Sequence, residues 1–226
     1  MKKIIISIVL LFGVFLITGC QKEVINQKAI DFKNEYEALN GKTNDKGKDY
    51  RVLSISEDNP FEKVEASNIV EMYNDGETFY VYFGDPLCPW CRSVLEKAIE
   101  VAKENGIDKI YYVRIWDKDK NEILRSKYEL NDEGQLEKTS EGTEDYYALL
   151  KYFGELLDDY TITNEDGKKI ETGEKRIYAP TFVYVKNGIA EKLTEGISES
   201  QEDPYGKLTE EMLADEEQQF NDFFAE

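Results

Sequence analysis

The sequence contains no histidine and only three cysteines, and basic residues are far fewer than acidic ones. The 28 lysines and arginines against 47 aspartates and glutamates give the 226-residue chain a formal net charge of −19. A surface of this sign repels the phosphate backbone, which excludes nucleic-acid binding as a main role. The length suits one well-buried domain with additional segments and is marginal for two.

The first twenty residues, MKKIIISIVLLFGVFLITGC, have the composition of a targeting segment. Two lysines are followed by an apolar run that is too short to span a bilayer easily. The ending ITGC resembles the lipobox of bacterial lipoproteins, which implies cleavage just before Cys20 and acylation of its thiol. A plain secretory signal or a short anchor is the alternative. We therefore expect residues 1–19 to be a lipoprotein signal peptide and the mature protein to be lipid-anchored at the extracytoplasmic face of the cell membrane.

The rest of the chain divides by its hydrophobic patterning into a tether and one α/β domain. Residues 20–49 contain apolar positions spaced by three and four, which predicts an amphipathic helix that either packs on the domain or serves as a stalk. Residues 50–226 form the predicted domain, in which residues 51–56 (RVLSIS) read as a short strand. Two hairpins are predicted further along the chain, turning at Asp166-Gly167 and at Asn187-Gly188.

A βαβ unit is predicted around the second and third cysteines. The aromatic run TFYVYF (residues 78–83) suits a strand buried on both faces, and KIYYVRIW (residues 109–116) suits another. A helical pattern between them ends at Asn105-Gly106. Strands joined by a helix of this length are expected to be parallel.

Cys88 and Cys91 fall where the first of these strands gives way to the helix. Two residues at this spacing lie on one face of a first helical turn, within reach of a sulfur–sulfur bond. The helix N-terminus stabilises a thiolate, and Cys88 lies nearer to it. Cys88 is therefore the expected nucleophile and Cys91 the resolving thiol, with Pro89 at the first helical position and Trp90 presenting a ring to a partner chain.

Two other roles are open to a cysteine pair at this spacing, a structural zinc site and a structural disulfide. A structural zinc site needs four ligands, and the chain has neither histidine nor a second CxxC motif. A purely structural disulfide closing so small a ring would stabilise the fold little. A redox-active dithiol in an exported protein fits these residues best.

The segment FYVYFGDPLCPWC followed by a helix resembles the active-site segment of the thioredoxin superfamily. The segment YAPTFVYVKNG (residues 178–188) resembles the second signature of that family. The resemblance implies a thioredoxin-like fold, with a central mixed β-sheet flanked by helices and an insertion at about residues 118–175, before the cis-proline strand. It also implies that Pro180 is cis and lies against the cysteines, and that the backbone of Ala179 pairs with bound substrate. The first motif and the lipobox together resemble those of thioredoxin-like lipoproteins and bacteriocin-transport accessory proteins of Gram-positive bacteria.

The chain also departs from that family. Thioredoxin has a buried acid six residues before its first cysteine, where this chain has Tyr82, and the pair between the cysteines is Pro-Trp rather than Gly-Pro. Asp85 either caps the turn or disfavours the thiolate. Arg92 and Arg176 either offset that charge or are solvated at the surface.

These observations predict a membrane-tethered thiol–disulfide oxidoreductase whose partners are exported proteins or peptides with thiols or disulfides, and a membrane redox partner is compatible with this role. No cofactor or metal is implied. The direction of electron transfer is not determined by the sequence. The alternative is a non-catalytic accessory lipoprotein that binds an exported peptide or a transporter.

Overall fold

The computed structural model describes residues 26–117 and 119–225, so the predicted signal peptide and Cys20 lie outside the described residues. The helices in chain order are α1 (Gln27–Glu37), α2 (Ala66–Asn74), α3 (Pro89–Glu104), α4 (Glu144–Phe153) and α5 (Glu210–Phe224). The strands are β1 (Phe61–Val64), β2 (Phe79–Gly84), β3 (Ile110–Arg114), β4 (Lys127–Leu130), β5 (Leu136–Ser140), β6 (Asp158–Thr163), β7 (Lys169–Arg176), β8 (Thr181–Lys186) and β9 (Ile189–Thr194). None of these helices is long and apolar enough to cross a membrane.

A five-stranded mixed sheet forms the centre of the protein, in the order β1-β3-β2-β8-β9. β1, β3 and β2 run parallel to one another, β8 is antiparallel to β2, and β9 is antiparallel to β8. β2 lies in the middle and is buried on both faces because its side chains are almost all aromatic or aliphatic. The α/β class, the central mixed sheet and the parallel βαβ unit expected from the sequence are therefore observed, in a thioredoxin-like arrangement.

Helices cover both faces of this sheet. α1, α3 and α5 supply the core on one face, where aromatic rings from α1 and α5 pack against rings of the sheet strands. α2 and α4 supply the core on the other face. Of the two alternatives for the first helix, packing on the domain is the one observed, since Ala29, Phe32 and Tyr36 are fully buried.

The segment at residues 51–56 is not a strand, contrary to the expectation from its alternating pattern. Leu53 and Ile55 are buried as the pattern predicts, but their N–H groups are bound by side chains. Asn40 accepts from Leu53 at 3.0 Å and Glu37 accepts from Ile55 at 2.7 Å. The segment is thus fixed to α1 and its following turn rather than to the sheet, and the first strand is β1.

The insertion contains two small hairpins and α4. The hairpin β6–β7 turns at the predicted Asp166-Gly167, where Gly167 has φ of +79°. The hairpin β4–β5 was not predicted, because its strands are largely polar and exposed and carry little alternation. The insertion leads directly into β8, the strand that opens with the predicted Pro-Thr pair.

Candidate functional site

A tight turn carries the chain from β2 into α3 and delivers Cys88 to the helix N-terminus. The Asp85 carboxylate accepts a hydrogen bond from the Leu87 N–H at 2.8 Å, and the Asp85 carbonyl accepts from the Cys88 N–H at 3.1 Å. Cys88 is the N-cap residue and Pro89 is the first helical residue, where its missing N–H costs nothing. Asp85 therefore acts as the turn residue that was one of its two predicted roles.

The negative charge of Asp85 is balanced by Arg114, which binds the carboxylate oxygen that does not bind Leu87. Arg114 Nε donates to the second carboxylate oxygen at 2.8 Å, and Arg114 also pairs with Glu35 at 2.8 Å. Burial raises the pKa of Asp85, while Arg114 and the Leu87 N–H act in the opposite direction. The carboxylate is thus occupied by its own partners, which limits its repulsion of a thiolate at Cys88.

The two cysteines are free thiols, and their contacts differ. The backbone N–H of Cys91 donates to the Cys88 sulfur at 3.5 Å, and the Cys88 thiol donates to the carbonyl of Ala179 at 3.3 Å. The bond between Ala179 and Pro180 is cis. The structure therefore brings Cys88, Cys91 and the Ala179-Pro180 segment together, although they are about 90 residues apart in the sequence.

Both cysteines are buried, and for Cys88 this differs from the expectation. A nucleophile at the start of a helix is expected to have a partly exposed sulfur, but Cys88 is only 5% exposed; Cys91 is 0% exposed, as expected for a thiol shielded one turn inside the helix. Cys88 is covered because the Ala179 carbonyl lies against its sulfur. The difference in access between the two thiols is therefore small, and the electrostatic difference matters more.

Opposite shifts separate the pKa values of the two thiols. A hydrogen bond from the Cys91 thiol lowers the pKa of Cys88, and the N–H groups of Cys91 and Trp90 and the charge of Arg125 lower it further, against the effect of burial. Burial raises the pKa of Cys91 well above its ordinary value, and interaction with Cys88 adds to this rise. The arrangement favours a thiolate at Cys88 and a neutral thiol at Cys91.

The insertion holds the Ala179-Pro180 segment in place. Arg125, which is 5% exposed, donates to the Ile177 carbonyl at 3.2 Å and pairs with Glu122 at 2.7 Å. Its guanidinium also lies over the ring of Trp116, at 5.7 Å from the ring centre. The insertion thus contributes a buried cation beside the cysteines, and nothing in the sequence around Arg125 indicates this role.

Neither Arg92 nor Arg176 is a solvated surface residue. Arg92 is fully buried and donates to the carbonyls of Arg51 and Tyr36, which ties α3 to α1. Arg176 is 9% exposed and donates to the Ser126 carbonyl at 2.8 Å. Both arginines satisfy buried backbone carbonyls.

An open cavity of about 600 Å³ lies beside the cysteines. We call it the aromatic cavity, because four rings contribute to its wall. It is lined by Asn44, Asp45, Lys46, Tyr50, Leu87, Pro89, Trp90, Trp116, Lys120, Pro204 and Tyr205. Trp90, which was expected to present its ring to a partner, is partly buried and forms part of this wall. The described residues contain no cluster of three or more cysteine or carboxylate side chains able to hold a metal ion.

The fold and the site together define an α/β protein of thioredoxin-like architecture with a buried dithiol at a helix N-terminus. Comparison of the sequence with protein-family models and with curated proteins finds no match in either set. Inferences about activity therefore depend on the geometry of the site.

Proposed function

We propose that this protein is a thiol–disulfide oxidoreductase of the thioredoxin superfamily, tethered to the extracytoplasmic face of the membrane through Cys20. The observation that carries the proposal is the position of Cys88, at the N-cap of α3 and bonded to the carbonyl that precedes a cis proline. A thiol at this position is stabilised as a thiolate by the helix N-terminus and by the Cys91 N–H.

The reaction is thiol–disulfide exchange in two steps. The Cys88 thiolate attacks a disulfide of the partner, forms a mixed disulfide and releases one partner sulfur as a thiolate. Cys91 then loses its proton and attacks the Cys88 sulfur, forming the Cys88–Cys91 disulfide and releasing the second partner sulfur. Two electrons pass from the cysteine pair to the partner. The reverse sequence oxidises partner dithiols.

The proposed test is equilibration of the purified full-length chain with glutathione at graded ratios of thiol to disulfide. Alkylation of free thiols and mass measurement would then give the fraction of the Cys88–Cys91 disulfide. We expect one two-electron transition, whose potential also fixes the direction: a strongly reducing value indicates a reductase and a strongly oxidising one an oxidase. A pair that stays reduced, or stays oxidised, at every ratio would refute the proposal.

A second candidate is a non-catalytic accessory lipoprotein that binds an exported peptide. The aromatic cavity favours it, because four rings in the wall of one open cavity can hold an extended chain without any exchange of sulfur. A Cys88→Ser/Cys91→Ser double variant distinguishes the two functions in the host cell. Retained function supports the accessory role, and lost function at normal protein abundance supports the oxidoreductase.

A further inference from the structure

Two tyrosine hydroxyls lie beneath the resolving thiol. Tyr36 comes from α1 and Tyr82 from β2, both side chains are fully buried, and their hydroxyl oxygens are 2.8 Å apart. Tyr82 belongs to the same buried cluster as Cys91, and hydrogen bonding from its hydroxyl acts to lower the pKa of the Cys91 thiol, against the effect of burial. The two hydroxyls therefore form a chain that runs from α1 through the central strand into the buried cluster that contains Cys91.

The number of hydrogens fixes the direction of this chain. Two hydroxyls carry two hydrogens, and a single bond between them uses one. If Tyr36 donates to Tyr82, the hydrogen of Tyr82 is left to point at the Cys91 sulfur, and both oxygens have a partner. In the opposite direction Tyr82 would donate to Tyr36, which would leave the Tyr36 hydrogen without an acceptor and the Cys91 anion without this donor. A buried hydroxyl without a partner is costly, so the first direction is favoured when Cys91 is charged.

The packing around Tyr82 leaves space for its hydroxyl in this position. A Cβ atom at Gly84, two residues along the same strand, would collide with the Tyr82 ring and hydroxyl. The φ angle of Gly84 is not in the left-handed region, so this position requires a glycine for space and not for backbone freedom. The Tyr82 ring also stacks on Phe182 at 4.5 Å and on Tyr112 at 5.5 Å between ring centres, which fixes the direction of its C–O bond.

We propose that Tyr82 is a catalytic residue that donates a hydrogen bond to the Cys91 thiolate during resolution, and that Tyr36 is a positioning residue that orients the Tyr82 hydroxyl. The inference rests on the proposed function. In the resolving step Cys91 gives its proton to water, its sulfur attacks Cys88, and the electron pair of the broken bond leaves with the partner sulfur. Tyr82 keeps its own proton throughout, because burial raises the pKa of its phenol well above the ordinary value.

Tyr112 provides a matched control. Its ring belongs to the same buried aromatic cluster, but its hydroxyl has no hydrogen-bond partner within the described residues. Tyr112→Phe therefore removes one buried oxygen from the same core without breaking the chain to Cys91. Tyr82→Phe and Tyr36→Phe remove one oxygen each and break the chain at different points.

The experiment uses the reduced full-length chain carrying Cys20→Ser, so that only the Cys88 and Cys91 thiols react, and dithiobis(nitrobenzoic acid), a disulfide whose released thiolate is coloured. The first release reports attack by Cys88 and the second reports resolution by Cys91. Tyr82→Phe is expected to slow the second release roughly ten- to a hundredfold, the effect of a hydrogen bond to a charged group, and to leave the first unchanged. Tyr36→Phe is expected to slow it by a smaller factor. Tyr112→Phe should have no effect.

The pH dependence separates a hydrogen-bonding role from a packing role. Without the Tyr82 donor the second release should reach its maximum at higher pH, and the variants should converge when Cys91 is fully ionised. A second release that is unaffected in Tyr82→Phe, or slowed equally in Tyr112→Phe, would overturn the inference while leaving the proposed function intact. Absence of the first release in the Cys20→Ser chain without a tyrosine substitution would instead refute the proposed function itself.

Discussion

The two cysteines acquire different properties from their positions in a single helical turn. Cys88 precedes the helix and receives N–H groups from Cys91 and Trp90, whereas Cys91 lies one turn inside and is surrounded by packed rings. The charge of Arg125 also acts on Cys88. Local hydrogen bonding and burial are therefore sufficient to assign different roles to the two thiols.

Substitution of each cysteine should give opposite results in a trapping experiment. Cys91→Ser keeps the attacking thiol and lacks the resolving one, so mixed disulfides with partners should accumulate. Cys88→Ser should trap little, because its remaining thiol is buried with a raised pKa. Non-reducing gels of the two variants, with the double serine variant as the control, provide the measurement. More trapping by Cys88→Ser than by Cys91→Ser would show that the roles are reversed.

The lowered pKa of Cys88 can be measured by alkylation of the reduced protein with iodoacetamide. The thiolate is the reactive form, so the rate should reach half of its maximum below the value of about 8.5 for an unperturbed cysteine. The same protein unfolded in urea is the control, and its midpoint should return to the ordinary value. A folded midpoint at or above the unfolded one would contradict the assignment of Cys88 as the nucleophile.

At the scale of elements, the helix α5 contains a buried acid without a hydrogen-bond partner. Glu216 is fully buried, and neither of its carboxylate oxygens is bonded to another described residue. Burial raises its pKa to about 7, while Arg51 and Lys97 act in the opposite direction. The folded protein therefore binds a proton at Glu216 more tightly than the unfolded chain does.

This shift predicts how stability depends on pH. Below about pH 4 the Glu216 carboxyl is protonated in both the folded and the unfolded state. Between about pH 4 and about pH 7 the unfolded state loses this proton first, so the free energy of unfolding falls as pH rises. Above about pH 7 the stability contributed by the protonated Glu216 is lost completely. Glu216→Gln should remove this dependence and stabilise the protein by about 2 kcal/mol at pH 8, measured by urea unfolding. The exposed Glu211→Gln on the same helix is the control, and equal effects of the two changes would argue against a role for burial.

The elements that the sequence predicted best are those with strong local patterns. β2, α3 and β3 were expected from continuous apolar runs, a proline at the helix start and an Asn-Gly helix stop, and each is observed. Residues 51–56 alternate like a strand, yet side chains of α1 and its turn bind their N–H groups, and no local pattern reveals such a partner. The polar hairpin β4–β5 lacked the hydrophobic signal on which strand prediction depends.

The candidate site was predictable only in part for a similar reason. The spacing of Cys88 and Cys91 and the Pro-Thr pair are visible in the sequence as short motifs. Tyr36 and Arg125 reach the site from α1 and from the insertion, and contacts between residues this far apart are set by tertiary packing. The tyrosine at position 82 was visible as a departure from a family pattern, but its partner was not.

The whole molecule combines a strong negative charge with a proposed attachment to a membrane. The formal net charge is −19, and removal of the two lysines of the predicted signal peptide would make the mature chain −21. An anionic lipid surface repels a domain of this charge, so the proposed attachment would depend on the lipid at Cys20 and not on the surface of the domain. The domain is expected to remain away from the bilayer.

Lipid attachment at Cys20 is tested by Cys20→Ser. The variant should be released from membranes or remain uncleaved, since both the processing and the acyl chains depend on this thiol. Fractionation followed by mass analysis of the mature N-terminus provides the measurement, with Cys88→Ser as the cysteine control that should stay membrane-bound. A wild-type chain that begins elsewhere and carries no lipid would contradict the prediction.

The aromatic cavity has an optical consequence. The chain has two tryptophans, and both Trp90 and Trp116 line this cavity beside the cysteine pair. Because a nearby disulfide quenches indole emission, intrinsic fluorescence should rise when the Cys88–Cys91 disulfide is reduced. The double serine variant should show no change, and Trp90→Phe should lose more of the signal than Trp116→Phe, since Trp90 lies between the cysteines in the sequence. Equal emission from the oxidised and reduced wild-type protein would contradict this placement of the rings. On the proposed function, tryptophan emission would thus report the oxidation state of the cysteine pair in real time and without a label.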